Sequence, residues 1–142
     1  MKTTKLVVDY DYDFKVLALI SSVKAYKLAW AVNKLLNVQL CKSEDIHFDL
    51  LNESNLCFTN YVFETEYYSL RMVKNKACEF NNVSKPFFLP ELKEYDFILM
   101  LGGEVFKEEY NIIIEKVKSL SIVQYIKYIE VENLKSKENL IF

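Results

Sequence analysis

Two short, almost unbroken apolar runs, Phe14–Ile20 (FKVLALI) and Phe97–Leu101 (FILML), each lead into a proline-free stretch with apolar residues at helical spacing. A strand that is apolar on both faces must be covered on both, so each run predicts a buried strand with a helix near it. After the first run, Ser21 and Ser22 offer hydroxyls to the free N–H groups of a helix start, and residues 23–37 contain neither Gly nor Pro. At 100° per residue, Ala25, Leu28, Ala29, Val32, Leu35 and Leu36 form a face that packs on a sheet, and Lys24, Lys27, Ala31 and Lys34 form a solvent face. Asn37 suits the left-handed residue that ends such a helix. After the second run, Phe106, Tyr110, Ile113, Ile114, Val117 and Leu120 predict a second amphipathic helix over 106–120.

Between these units the hydrophobic period falls to two. Val38–Cys41, Ile46–Leu51, Leu56–Glu64 and Tyr68–Val73 read as strands of an antiparallel meander, divided by the polar links KSED and NESN and by the tight ETEY. Residues 75–94 have no clear period and contain both prolines, so they read as an irregular connection with a short turn at Leu89–Leu92. Ile122–Val131 returns to strand chemistry, with Val123, Tyr125, Ile129 and Val131 on one face. The expected architecture is a two-layer α+β sandwich, a mostly antiparallel sheet with both helices on one face, and its nearest simple description is a ferredoxin-like plait with an inserted hairpin.

Composition then limits function. At 142 residues with 51% apolar content, residues 1–142 form one domain able to bury a core without a disulfide or metal. A formal charge of -2 disfavours bulk nucleic-acid binding, which rests on neutralising phosphates. Leu6–Val8 is far short of a signal-peptide apolar region and no apolar run could span a bilayer, so the expectation is a cytoplasmic protein without a membrane segment. Cys41, Cys57 and Cys78 are widely spaced and odd in number, matching neither a disulfide framework nor a zinc knuckle; they read as reduced, unpaired core residues.

Few residues point to chemistry. Asp9, Asp11 and Asp13 imitate the start of a calcium loop, but Phe14 and Ile20 stand where its Gly and Glu belong. Gly102-Gly103 lies between a strand and a helix, where anions bind, yet Glu104 follows where a phosphate would sit, so tight-turn glycines are the better explanation. His47 is the sole imidazole and becomes part of a dyad only if the fold brings Cys41 or Cys57 to it. The acid-rich stretch 43–70, which precedes Arg71, Lys74 and Lys76, reads as charged edge strands that block aggregation. No catalytic residue, metal or cofactor is expected.

The segment Leu89-Pro90-Glu91-Leu92-Lys93-Glu94-Tyr95-Asp96-Phe97 resembles the signature of the uncharacterised bacterial family named for its motif IPExxxVDY. An acidic N-terminal strand leading to a Ser-Ser-capped helix, and the closing KSKENLIF, extend the resemblance over essentially the whole chain. Pro90, Glu91 and Asp96 match the motif, while Leu89, Tyr95 and Phe97 replace its Ile, Val and Tyr. The resemblance implies cytoplasmic bacterial character and no mechanism, since no activity, cofactor or catalytic residue is established for that family. Physically, Pro90 presets a helical turn, Glu91 meets unpaired turn N–H groups, and Asp96 can accept backbone donors at the mouth of a strand.

Two functions follow as expectations. The first is a non-enzymatic interaction or regulatory module, supported by 15% aromatic content and a poverty of catalytic residue types. Its partner is a second copy of the chain, because Tyr26 and Trp30 lie beside the lysine stripe, off the apolar face, and need a cover. Cover within the monomer would come from residues 75–94 or from Leu140-Ile141-Phe142. The alternative is a small-ligand binder or enzyme using Glu91, Asp96 and His47 in a cleft.

Overall fold

The computed structural model of the chain describes residues 14–48, 56–78 and 87–140. The strands are β1 (Phe14–Ile20), β2 (Cys41–Phe48), β3 (Leu56–Glu64), β4 (Tyr68–Lys74), β5 (Phe97–Gly103) and β6 (Tyr125–Ile129). Helix α1 (Ala25–Leu36) follows β1 and helix α2 (Glu104–Lys118) follows β5. The strands form one sheet in the order β2-β3-β4-β5-β1-β6, every neighbouring pair antiparallel. The fold is therefore the expected α+β arrangement. β5 and β6 flank β1 and are joined by α2, so this unit is a crossover split by the central strand. Beyond β5 the sheet continues through β4 and β3, and the strand that follows α1 lies at the far edge rather than beside β5.

Burial explains the two apolar runs. Leu17 and Leu19 of β1, with Phe97, Leu99 and Leu101 of β5, face a core completed by Leu28, Ala29 and Val32 of α1 and Ile113 and Val117 of α2. The intervening Val16, Ala18, Ile98 and Met100 face a second core. Among the described residues neither α1 nor α2 contributes to that core; Phe88, Leu89, Val131, Leu134 and Leu140 cover it, from the segment before β5 and the chain after β6. A central strand buried on both faces has no position for a polar residue, hence the loss of alternation.

Several local expectations are corrected. Ser21 and Ser22 do not cap α1, whose N-cap is Lys24 without a side-chain bond. Ser21 instead donates its hydroxyl to the Ile122 carbonyl at 2.6 Å, tying the exit of β1 to the approach of β6. Asn37 does end α1, at φ 55°. β2 is one strand where two were expected, because it runs through Ser43-Glu44-Asp45 with a bulge between Ser43 and Ile46. An edge strand tolerates such polar residues, since it pairs on one side only. The last strand is shorter than expected, and Val123 packs in the helix-side core whereas Ile129 and Val131 pack in the other. Residues 121–122 form a turn and the strand begins only at Tyr125, so the alternation does not run through this stretch.

Candidate functional site

The Pro90–Asp96 motif folds into a corner where the ends of β1 and β4 meet the start of β5. Pro90–Leu92 forms a short 3-10 turn, as the fixed φ of Pro90 favours. Asp96 uses three groups: its N–H donates to the Leu19 carbonyl at 2.8 Å, its carbonyl accepts from the Asn75 N–H at 2.9 Å, and its carboxylate accepts from the Ser21 N–H at 2.9 Å. Asp96 thus links the ends of β1 and β4 to the start of β5. The expectation that it accepts a backbone donor holds, and the donor is Ser21, just past the end of β1.

Glu91 faces the C-terminal segment. Its carboxylate accepts from the Ser136 N–H at 2.9 Å and the Ser136 hydroxyl at 2.5 Å. Partial burial pushes the carboxyl pKa up, but hydrogen bonds from Ser136 and from the N–H groups of Glu91 and Lys135 outweigh it and hold the pKa below the ordinary glutamate value. The residue that organises the corner escaped the sequence reading. Asn75 is fully buried; its amide donates to the carbonyls of Leu92 at 2.9 Å and Tyr95 at 3.0 Å, and its oxygen accepts from the Leu89 N–H at 2.9 Å. Asn75 braces both ends of the motif turn. The polar groups described here bond within the fold, and through them the corner joins the ends of β1 and β4 to the start of β5.

The other candidates are dispersed. His47 lies on the edge strand β2, three strand spacings or about 14 Å from β5, away from Glu91 and Asp96. Its register partner is Cys57, the cysteine that sequence reasoning named as one possible neighbour. None of Cys41, Cys57 and Cys78 forms a disulfide, and Cys41 and Cys78 are exposed rather than in the core. Gly103 has φ 106°, and a Cβ there would strike the Tyr67 carbonyl and lie 2.5 Å from Tyr68 Cα; close approach to the β3–β4 turn requires this glycine. Asp9, Asp11 and Asp13 lie outside the described residues.

Tyr26 and Trp30 are where the helical wheel put them, off the buried face, with 57% and 63% of their surface exposed. They border an apolar pocket of about 640 Å³ between α1 and the turn after α2, whose walls include Val23, Ala31, Leu120 and Ile122. Lys34 Nζ sits 4.5 Å from the centre of the Trp30 ring, a cation–π contact. Among the described residues no helix is long and apolar enough to cross a membrane. No protein-family model matches this chain, and a search of curated proteins finds no match to it.

Proposed function

We propose that this chain is a non-enzymatic interaction module of a reducing bacterial cytoplasm, and that the face of α1 carrying Tyr26 and Trp30 docks a second copy of the chain. The resemblance of its Pro90, Glu91 and Asp96 to the IPExxxVDY motif is part of this reading, and their hydrogen bonding favours a structural role for that motif. The observation that carries the proposal is the exposed Trp30 beside an apolar pocket large enough to receive a side chain of its size. Cover from within the monomer is disfavoured for the described segments, because Phe88, Leu89, Leu92 and Leu140 belong to the core on the other face of the sheet. A two-fold axis through α1 lets each copy offer one Trp30 and receive one, the self-complementarity that a symmetric dimer needs.

Trp30 is the only tryptophan, so its emission reports this face alone. The test combines mass by light scattering with Trp30 emission over a dilution series. A dimeric mass, with emission shifting red as the dimer dissociates, is expected, and Trp30→Lys gives a monomer. Lys27 and Lys34 rim the patch and would approach their counterparts, so added salt tightens the dimer by screening them. A monomeric mass at every concentration, with constant emission, refutes the proposal. A monomer whose Trp30 emission responds to small apolar compounds would assign the pocket to a ligand instead, since its volume lies in the range of such sites.

A further inference from the structure

We propose that Asp45, Cys57 and Cys78, with His47 as fourth ligand, form a binding site for zinc or a similar thiophilic divalent cation. Two sulfurs and a carboxylate oxygen converge there from three separate segments, all within 4.8 Å of one another. Sequence spacing hid this cluster, because antiparallel pairing brings together residues that the chain keeps far apart.

The backbone holds the donors in place. The Cys78 N–H donates to the Cys57 carbonyl at 2.8 Å, locking the two cysteines to each other. Cys78 Sγ lies 3.9 Å from Asp45 Oδ2. Asp45 sits in the bulge of β2 between Ser43 and Ile46, a distortion that re-aims a side chain. Ile46, Leu56 and Phe58 fill the core on one face of the sheet, so their neighbours Asp45, His47 and Cys57 project from the opposite face. His47 is also the register partner of Cys57, which places their Cβ atoms about 5 Å apart and the imidazole within a rotamer change of the group.

The chemistry fits a closed tetrahedral site. Zinc–sulfur bonds of about 2.3 Å put two sulfurs about 3.8 Å apart, inside the 4.8 Å within which the donor atoms here already lie. Lys42 Nζ contacts Asp45 Oδ1 at 3.3 Å, leaving Oδ2 toward Cys78. With both thiols deprotonated, the carboxylate, the Lys42 ammonium and a divalent ion leave no net charge. The Thr59 hydroxyl, 3.5 Å from Cys78 Sγ, is placed to donate to a metal-bound thiolate from the outer shell. Four protein ligands make the site structural: the ion would clamp the β2–β3 hairpin to the chain leaving β4.

The test is titration of metal-free, reduced protein with Co²⁺ and then Zn²⁺. One equivalent of Co²⁺ is expected to give the intense visible absorption of tetrahedral cobalt and a near-ultraviolet thiolate charge-transfer band, both abolished by Zn²⁺. Cys57→Ser and Cys78→Ser each weaken the charge-transfer band, and the double variant lacks it. Cys41→Ser keeps the full signal. His47→Ala retains the thiolate band but binds zinc about 10-fold or more weakly. The wild-type titration suffices to refute the site: if cobalt gives no thiolate band while all three cysteines react as thiols, there is none. An undiminished band in a folded Cys57→Ser, Cys78→Ser double variant refutes it equally.

Discussion

Replacing Asn75 with alanine tests the claim that one buried amide braces the motif corner. The side chain makes three hydrogen bonds, to the Leu89 N–H and to the carbonyls of Leu92 and Tyr95. The Leu92 carbonyl keeps a partner after truncation, because it also accepts from the Tyr95 N–H at 2.9 Å. The Leu89 N–H and the Tyr95 carbonyl lose the partner described for them, and an orphaned buried polar group costs about 1–3 kcal/mol. Allowing for non-additivity, Asn75→Ala should destabilise by about 3 kcal/mol. For a chain of this length that lowers the melting temperature by about 12 °C. Urea unfolding followed by circular dichroism measures it, with an unchanged slope showing that only stability has moved. Asn139→Ala is the control, since Asn139 makes one part-buried bond, to the Phe88 carbonyl at 2.8 Å, and should cost about 1 kcal/mol. If Asn75→Ala costs no more than this control, the bracing argument is wrong.

Asp96→Ala removes the acceptor for the Ser21 N–H and should destabilise by about 1 kcal/mol in the same assay, leaving the light-scattering mass unchanged. Glu91 stabilises the fold in its charged form, since its folded pKa is depressed. That contribution is complete above the ordinary glutamate pKa of about 4.3 and disappears as pH falls through the lower folded value; Glu91→Gln should therefore melt below wild type at neutral pH and match it in strong acid. Gly103→Ala forces a side chain onto a positive-φ backbone against Tyr67 and Tyr68, costing about 1–3 kcal/mol by urea unfolding.

Much of the sheet was legible because burial leaves a plain trace. β1 and β3 have the bounds that the sequence predicts, since apolar residues fill one strand and alternate in the other. The faces of α1 followed from periodicity, including the exposure of Tyr26 and Trp30. The polar stretch within β2 misled, because an edge strand need not alternate and its bulge breaks the period. Ser21 resembles a cap because hydroxyls commonly serve so next to a helix, whereas its partner lies 101 residues away. Asn75 and the Asp45–Cys57–Cys78 group left no local pattern at all. Their roles depend on which strand ends and edges the topology brings together, and no window along the chain contains that information.

The position of β1 has a consequence for how the chain is made. Both of its neighbours lie far downstream, β5 at Phe97–Gly103 and β6 at Tyr125–Ile129. The β2–β3–β4 meander, by contrast, pairs with itself as it emerges. At roughly 5–20 residues per second of synthesis, FKVLALI spends on the order of 4–15 s without a partner strand before Phe97 is joined to the chain. Lys15 is its only charge, so this segment has the greatest opportunity to pair with another nascent chain. Slower translation between β1 and β5 lengthens that exposure, and the yield of folded protein should fall with it even though the native state is unchanged.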